Sequence, residues 1–600
     1  MTRRKTGKPE NAPGAGQSLV GGALVMAVAI IFTKIIGFIY KVPHSAILDG
    51  DGVGVYQQAY SFYIIVYSIA LTGFPTAISK IIVEYQKQGR YKDIRETIKA
   101  ANVFFFLLGT AGALILIALA RFYSGTLLSN SNITMSVLAV APSIVFSCMM
   151  SVHRGYYQGM RNMTPTAVSQ VVESLVKCAV GLGAAYLTKA YFTDEFLSHG
   201  TVFGAAYSSL QEAGVSILSL AAAGALCGVT VSTGAGWLYL LIKRNMDGDG
   251  ITEEQYAASP EAMTGSRLLK QILIIGIPIT LAGIAPQITS FFCDIIIQSR
   301  LISALNNEPS VLFASHGGWL EKAGKTVFGD PGKTATFLAG CYSFGEPFYS
   351  LSPAITSAFN ISALPHVADG WIAGDREAVR RHVNVTLKMS ALFSAPIGFG
   401  IAALGTPILN LVFSRRNPAE VAIGGTMLSI MSAAMVFLSI YTAAITMLNA
   451  IGRYDIPIKL LIAGGLMNLL VTYVLVGIPA INIKGAPVGN LISYIPVAVL
   501  SIYYLYKNTW VKIEVFESLI KPLIAGLLCG MTAFAAYQLQ MLFLYDLIRQ
   551  RVATLVAIFV AAVVFIAAVG FLKIMTKEEL RSMAVSDKIW HVLEKLRIVR

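Results

Sequence analysis

The stretch SLVGGALVMAVAIIFTKIIGFIYK, residues 18–41, is apolar for 24 residues, with Lys34 its one charge before Lys41 closes it. At 1.5 Å per residue a helix of that length covers about 36 Å, enough to cross a hydrocarbon layer about 30 Å thick. It is too long for the apolar core of a signal peptide and carries no small-residue cleavage pattern, so it reads as a retained first membrane span. The preceding residues, Met1 to Gln17, are basic and rich in Pro and Gly, and read as a disordered cytoplasmic tail.

The rest of the chain repeats this pattern. Of 600 residues 55% are hydrophobic and 13% charged, and the mean hydropathy is +0.65, far from the composition of a soluble domain. Spans are expected near 18–41, 57–80, 100–120, 133–155, 165–188, 215–242, 268–299, 334–362, 386–413, 423–449, 456–477, 486–506, 516–539 and 550–572. The fold class is therefore an all-α polytopic membrane protein of about fourteen transmembrane helices. The net charge of +14 does not point to nucleic acid. Its clusters at Arg3–Lys8, Lys87–Arg95, Arg376–Arg381 and Lys573–Arg600 fall on one side of this map, as the excess of cytoplasmic Lys and Arg requires. Both termini are then cytoplasmic. The six cysteines lie in or against apolar runs without paired short spacing, and read as small core residues rather than a disulfide or metal framework.

A repeat divides the chain. Arg161 precedes Pro165 by four residues, and Arg453 precedes Pro457 by four; each Pro opens a helix. Pro75 ends span two and Pro365 ends span eight. Both Pro pairs are about 290 residues apart, the mark of two six-helix halves in parallel order with a site expected between them. The expected organisation is a tail at 1–17, an N-terminal lobe at 18–242, a linker at 243–267, a C-terminal lobe at 268–506, two extra helices within 507–572, and a basic tail at 573–600.

Six plus six plus two spans with these marks resembles the multidrug/oligosaccharidyl-lipid/polysaccharide (MOP) exporter superfamily, in its polysaccharide biosynthesis, stage V sporulation protein B and MurJ-like lipid II flippase branch. The resemblance rests on Phe32-Thr-Lys34-Ile-Ile-Gly37-Phe38-Ile-Tyr-Lys41-Val-Pro43, Gly52-Val-Gly54-Val-Tyr56, Gly73-Phe-Pro75, Gly345-Glu346-Pro347 and Ala363-Leu-Pro365, and covers nearly the whole chain. It implies a V-shaped pair of helical bundles that alternates between inward-open and outward-open forms. MurJ-like members carry further cavity arginines in spans two and eight. Here Ser68–Gly73 holds no cation, and Tyr342–Glu346 ends in an acid. The outer loop from Leu301 to Lys333 is longer than the family's usual connection.

A charge at the centre of a span costs about 2.5–3.5 kcal/mol on insertion scales, so each needs a reason. Lys34 and Lys41 lie seven residues apart on one helical face. Cations at intermediate depth suit a pyrophosphate that must be attracted and then released, so these two are the expected substrate-binding residues. Snorkelling to the headgroups is the alternative for Lys41. Glu173 and Lys177 are spaced i, i+4 and form an expected intramembrane ion pair. By resemblance, Asp294, Asn468 and Thr472 match a sodium site of some MurJ-like proteins, with helix-to-helix hydrogen bonding as the alternative. Glu346 beside Pro347 is a candidate protonation site. Lys388 is expected to snorkel. Asn245–Glu254 imitates a calcium loop, but position twelve is Tyr256 rather than a bidentate Glu, so it reads as a solvated acidic linker. Asp49-Gly-Asp51 reads as a short outer turn.

The expected function is a flippase that moves an undecaprenyl-pyrophosphate-linked cell-wall precursor or polysaccharide unit across the cytoplasmic membrane by alternating access, in growth or in sporulation. It would act as a monomer among membrane lipids, with cell-wall synthases as candidate partners. No cofactor is expected, and sodium or proton coupling stays open. The runner-up is a cation-coupled multidrug exporter, which Lys34 disfavours. Seven dispersed histidines and no clustered acids count against a membrane-embedded enzyme.

Overall fold

A computed structural model describes residues 19–71, 73–327, 329–413, 417–543 and 550–575. The two expected basic tails, apart from Lys573–Met575, lie outside the described residues. Among the described residues the regular elements are helices, apart from a hairpin of two-residue strands, β1 (Thr201–Val202) and β2 (Ala205–Ala206). The helices are α1 (Leu19–Leu71), α2 (Phe74–Lys87), α3 (Tyr91–Arg121), α4 (Thr134–Val140), α5 (Ser143–Gly159), α6 (Thr164–His199), α7 (Leu210–Asp247), α8 (Glu253–Ala258), α9 (Gly265–Asn307) and α10 (Pro309–Ser315). There follow α11 (Trp319–Lys322), α12 (Pro331–Ser343), α13 (Glu346–Tyr349), α14 (Leu351–Ile372), α15 (Arg376–Val412), α16 (Pro418–Ala450), α17 (Asp455–Val476), α18 (Gly485–Thr509), α19 (Lys521–Phe543) and α20 (Gln550–Phe571). Their starts are written in the sequence. Pro165 opens α6 and Pro418 opens α16, where the missing N–H is not needed. Asp375 caps α15 through the Glu377 and Ala378 amides, and Thr252 with Gln255 forms a capping box on α8.

Twelve helices among the described residues are long and apolar enough to cross a membrane, against fourteen expected. The difference arises at two places. Spans one and two run together as Val28–Lys87, because the connection at 42–56 is helical and broken only at Asp49 (φ 53°, ψ −173°). Asp49-Gly-Asp51 is thus a tight kink at which two helices meet, where a short outer turn was expected. Span eight is not one rod: it is α12, α13 and α14, with a turn at Phe344–Gly345 and a bend at Ser350 that keeps its i→i−4 bonds to Glu346 and Ala354. Pro347 at the start of α13 cannot donate to a preceding turn.

By contacts the chain divides into two compact units, Met1–Leu48 with Val55–Phe291, and Asp49–Gly54 with Phe292–Arg600. In the first, α6 packs along α7, while α5 is wedged against α2, α3 and α7. In the second, α15 and α16 are the central pair. α14, α18 and α19 pack around them, α17 lies on α18, and α20 lies on α19. Many apolar side chains stay exposed on the outer faces, such as Leu466 and Leu470 of α17 and Phe559 of α20. That is the arrangement for a lipid solvent, where burial is reserved for the seams between helices. The seams admit little side chain. A Cβ on Gly340 would stand 2.0 Å from the Gly50 carbonyl oxygen, and one on Gly54 2.1 Å from that of Thr336. Helix 331–343 and the segment 49–54 therefore touch backbone to backbone.

The linker at 243–267 is not free in solvent, as expected from its acidity. Arg95 forms an ion pair with Asp249 and stacks on Tyr256 at 4.3 Å, the Lys92 amide donates to Ser259 Oγ (3.1 Å), and the Met263 amide donates to Asp93 Oδ1 (2.6 Å). The reason is charge: the basic start of α3 offers partners that the acidic linker satisfies. The outer loop after α9 likewise folds, into α10 and α11. Lys325 reaches Asp51 at 2.7 Å, and the ring of His316 meets Asn482 Oδ1 at 2.9 Å. Asn482 in turn donates to Ser315 Oγ (2.7 Å), and Lys484 Nζ donates to the Ser315 carbonyl (2.8 Å).

Burial, aided by the nearby Lys484 charge, lowers the His316 pKa from 6.5 to about 4. The folded value is below the unfolded one, so the unfolded segment binds the extra proton first. Stability from this docking is present above about pH 6.5 and is lost as pH falls toward 4. Hydrogen exchange of residues 309–322 in the purified protein should be slow at pH 7 and accelerate across that window once intrinsic exchange rates are divided out. His316→Gln should flatten the dependence. Equal acceleration in wild type and His316→Gln would show that another group controls the loop.

Candidate functional site

Two polar clusters stand inside otherwise apolar helices, one in each unit. The cluster of the first unit begins with Tyr56, Tyr60, Tyr63 and Tyr67 on the second limb of α1. Spacings of four, three and four residues put them on one face. Their ring centroids follow at 5.8, 5.5 and 5.3 Å. The ladder continues through His44, 4.4 Å from Tyr56, to Tyr40, 4.9 Å further. Against it, α6 places Glu173 and Lys177, and α5 places Arg154.

Glu173 and Lys177 were expected to neutralise each other, and the structure corrects this. Arg154 Nη2 donates to Glu173 Oε2 at 3.0 Å, and Arg154 Nε donates to Ser169 Oγ at 3.0 Å. Lys177 turns to the ladder: its ammonium lies 4.9 Å from the Tyr60 ring centroid and 5.7 Å from that of Tyr40. The physical reason is geometry. The guanidinium satisfies carboxylate and hydroxyl at once through its planar fork, while a lone ammonium is better served by aromatic faces.

Lys34 and Lys41 lie on α1 away from its packed stripe, which is Ala29, Ile36 and Tyr40. At 100° per residue they sit about 120–140° around the helix from that stripe. Lys34 is exposed, Lys41 half-buried, and Gly37 between them faces open space. The charge of Lys41 reaches Tyr60, so it and Lys177 act on the same ring. Lys388, expected to snorkel, is buried at 7% exposure on the packed face of α15, beside the buried Leu387 and Met389.

In the second unit the four ion-site candidates gather around Tyr342. Asn468 and Thr472, buried on α17, bond each other (Thr472 Oγ1 to Asn468 Oδ1, 3.1 Å), and Cys293 Sγ donates to the same Asn468 oxygen at 3.3 Å. Asn468 Nδ2 donates to Asn490 Oδ1 at 2.6 Å, and Asn490 Nδ2 to the Tyr342 hydroxyl at 3.1 Å. Asp294 and Glu346 both lie within electrostatic reach of Tyr342. Two carboxylates, an amide and a hydroxyl are the oxygen donors a hard monovalent cation takes. Asn468 Oδ1 already accepts two hydrogens here, so a cation would enter only as Thr472 and Cys293 turn away. As drawn, the cluster is a helix-to-helix hydrogen-bond network.

Sequence reasoning missed Arg154, Asn490 and the tyrosine ladder. The 56, 60, 63, 67 spacing was readable as a face, whereas Arg154, nineteen residues from Glu173 on another helix, had no local signal. Asn490 had no signal of its own.

The family model described as "Polysaccharide biosynthesis protein" matches residues 19–369, and the one described as "Lipid II flippase MurJ" matches 342–578. This chain belongs to the polysaccharide biosynthesis protein family, within the MOP superfamily. It is a multi-pass membrane protein of a flippase and transporter family. It is similar to the uncharacterized membrane protein YabM of Bacillus subtilis (strain 168), 24% identical over 95% of both chains. To the lipid II flippase MurJ of the same organism it is 21% identical over 80% of both. To its stage V sporulation protein B it is 29% identical over 34% of this chain and 38% of that one. Among solved structures, the inward closed conformation of lipid II flippase MurJ matches with a TM-score of 0.60 at 14% identity, over 91% of this chain and 98% of that one. An inward-facing multidrug resistance MATE transporter matches at 0.53 and 13%, over 81% and 98%. These likenesses establish the fold.

Arg154 is the hinge of the first cluster. Arg154→Ala leaves the Glu173 carboxylate, 19% exposed, without its partner and should cost about 3–5 kcal/mol. Thermal unfolding in detergent should reveal the loss, and adding Glu173→Gln should return a good part of it. A double variant as unstable as the single would refute the pairing.

Proposed function

We propose that this protein is a flippase for an undecaprenyl-pyrophosphate-linked glycan, either a peptidoglycan precursor or a polysaccharide unit, across the bacterial cytoplasmic membrane. The carrying observation is the open face of α1, where Lys34 and Lys41 stand with Gly37 between them, and with nothing within 4 Å of the Cβ position of Gly37. A diffuse dianion leaving the headgroup layer needs positive charge at intermediate depth, and two ammonium groups two helical turns apart offer successive points of attraction. Lysine holds phosphate as a point charge rather than through a bidentate fork, so release stays easy.

Alternating access by two helical lobes would carry the head group, while the polyprenyl tail stays in lipid. The chain would work as a monomer, with both termini cytoplasmic and without a catalytic step. Asp294, Asn468, Thr472 and Glu346 are the groups through which sodium or a proton would couple to the cycle. Membrane potential would also serve, since each charge crossing gains about 2.3 kcal/mol per 100 mV. Family membership and the coverage of the MurJ and stage V sporulation protein B relatives support this reading.

The test is complementation of a bacterium depleted of its own lipid II flippase, with wild type and Lys34→Ala expressed at matched levels. Rescue by wild type with at least a tenfold loss of viable counts for Lys34→Ala is expected. Rescue by both would remove Lys34 from the site and leave the substrate. Rescue by neither, with correct insertion, would sink the peptidoglycan substrate and favour another polyprenyl-linked glycan or drug export.

A further inference from the structure

In the second unit a groove of about 470 Å³ lies between α16, α18 and the turn Phe516–Ile520 that leads into α19. That is the size of a small-ligand site. Phe437 of α16, Val499 and Ile502 of α18, and Leu523 of α19 line it. Val499 is 61% exposed, so the groove is open at its edge. In a bilayer such a space is filled by hydrocarbon, because an empty one forfeits the dispersion contacts of its whole lining.

The groove also has a polar mouth. Among the described residues Lys512 is the one charged residue of the lining, which Tyr503 and Tyr506 of α18 share. The connection that carries Lys512 is held to α15: Asn384 Nδ2 donates to the Lys512 carbonyl (3.1 Å), and the Glu514 amide donates to Asn384 Oδ1 (2.8 Å). Trp510 ends α18 in the left-handed region (φ 54°), with its side chain exposed. Exposed Trp and Tyr mark the headgroup level of a membrane. The carboxylates of the connection are engaged elsewhere, Glu514 by Arg380 at 2.9 Å and Glu517 by Lys521 at 2.7 Å. Lys512 is exposed, and so is Lys507, one turn beyond Tyr503 on α18. The mouth is therefore net positive. With both termini cytoplasmic, as proposed above, α19 and α20 are the last two spans, and the head of α19 faces the cytoplasm. That leaflet carries the anionic lipids.

We propose that this groove binds an anionic phospholipid of the cytoplasmic leaflet. One acyl chain occupies the apolar lining, and the phosphate faces Lys512 and Lys507 at the level of Tyr503, Tyr506 and Trp510. The lipid is a resident of the fold rather than its cargo: it completes the contact of the head of α19 with α16 and α18.

The experiment titrates purified full-length protein in detergent with dioleoylphosphatidylglycerol or dioleoylphosphatidylcholine. Native mass spectrometry counts the lipids retained, and thermal unfolding is followed in parallel. Wild type should retain one phosphatidylglycerol at about tenfold lower concentration than phosphatidylcholine, and unfold at a higher temperature once it is bound. A lysine beside an anionic headgroup is worth about fivefold, so Lys512→Gln should lower the preference by about that factor and leave phosphatidylcholine unchanged. Lys512→Arg should keep the preference. Val499→Trp, which fills the groove from its exposed edge, should weaken both lipids and abolish the rise in unfolding temperature. Both side chains are exposed, so neither substitution removes a core contact. Equal retention of the two lipids by wild type, or wild-type retention of phosphatidylglycerol in either Lys512→Gln or Val499→Trp, overturns the proposal. Displacement of phosphatidylglycerol by geranylgeranyl diphosphate overturns it as well, and assigns the groove to a transported lipid.

Discussion

A charge placed at membrane depth must find a partner within the protein, and that constraint organises this chain. Few carboxylates stand within the spans, so each one decides where its neighbours point. Glu173 draws Arg154, which anchors α5 to α6, and the anchoring leaves Lys177 to the tyrosines of α1. Had Glu173 paired with Lys177 one turn away, the bond would have stayed within α6 and tied nothing together. The longer-range pair is the one that fixes tertiary structure. Arginine is suited to it because its fork reaches Glu173 and Ser169 together.

The same reasoning applies to the backbone. Without water, an interrupted helix must have its freed amides and carbonyls satisfied by other protein groups. At the break in α1 the Gly50 amide donates to Glu420 Oε1 at 3.0 Å, a carboxylate brought by the start of α16. The neighbouring glycines let α12 lie directly on that segment. Breaks and close contacts therefore occur together: the broken helix exposes polar backbone, and small residues let another backbone or a carboxylate approach it. Span eight repeats the pattern, with Pro347 and Glu346 at its interruption.

How much of this was legible follows from which forces act locally. Helix starts at Pro165 and Pro418, the apolar blocks and the break before Pro347 are dictated by neighbouring residues, and the sequence discloses them. Pairing is not local. The i, i+4 rule favours Glu173–Lys177 only when nothing else competes, and Arg154 lies nineteen residues away on another helix. The docking of Asp249 on Arg95, 154 residues distant, was hidden for the same reason. Asp294, Asn468, Thr472 and Glu346 were nameable through resemblance. That Asn468 and Thr472 reach Tyr342 through Asn490 is a property of helix packing that no spacing encodes.

On the proposed reading, the choice of cation at each position follows from what the position must do. A residue that stabilises the fold should hold its partner permanently, and the buried guanidinium of Arg154, its side chain 6% exposed, does so through several bonds. A residue that handles cargo must bind and then release within one transport cycle. Lys34 and Lys41 are both lysines, compact and strongly hydrated charges without a fork. Replacing either of them with arginine would strengthen the hold on phosphate and slow departure, so tighter binding at these two positions would come at the expense of turnover. The division between an arginine held by several bonds and lysines without a fork is thus what separates the frame of the first unit from the part proposed to touch the substrate.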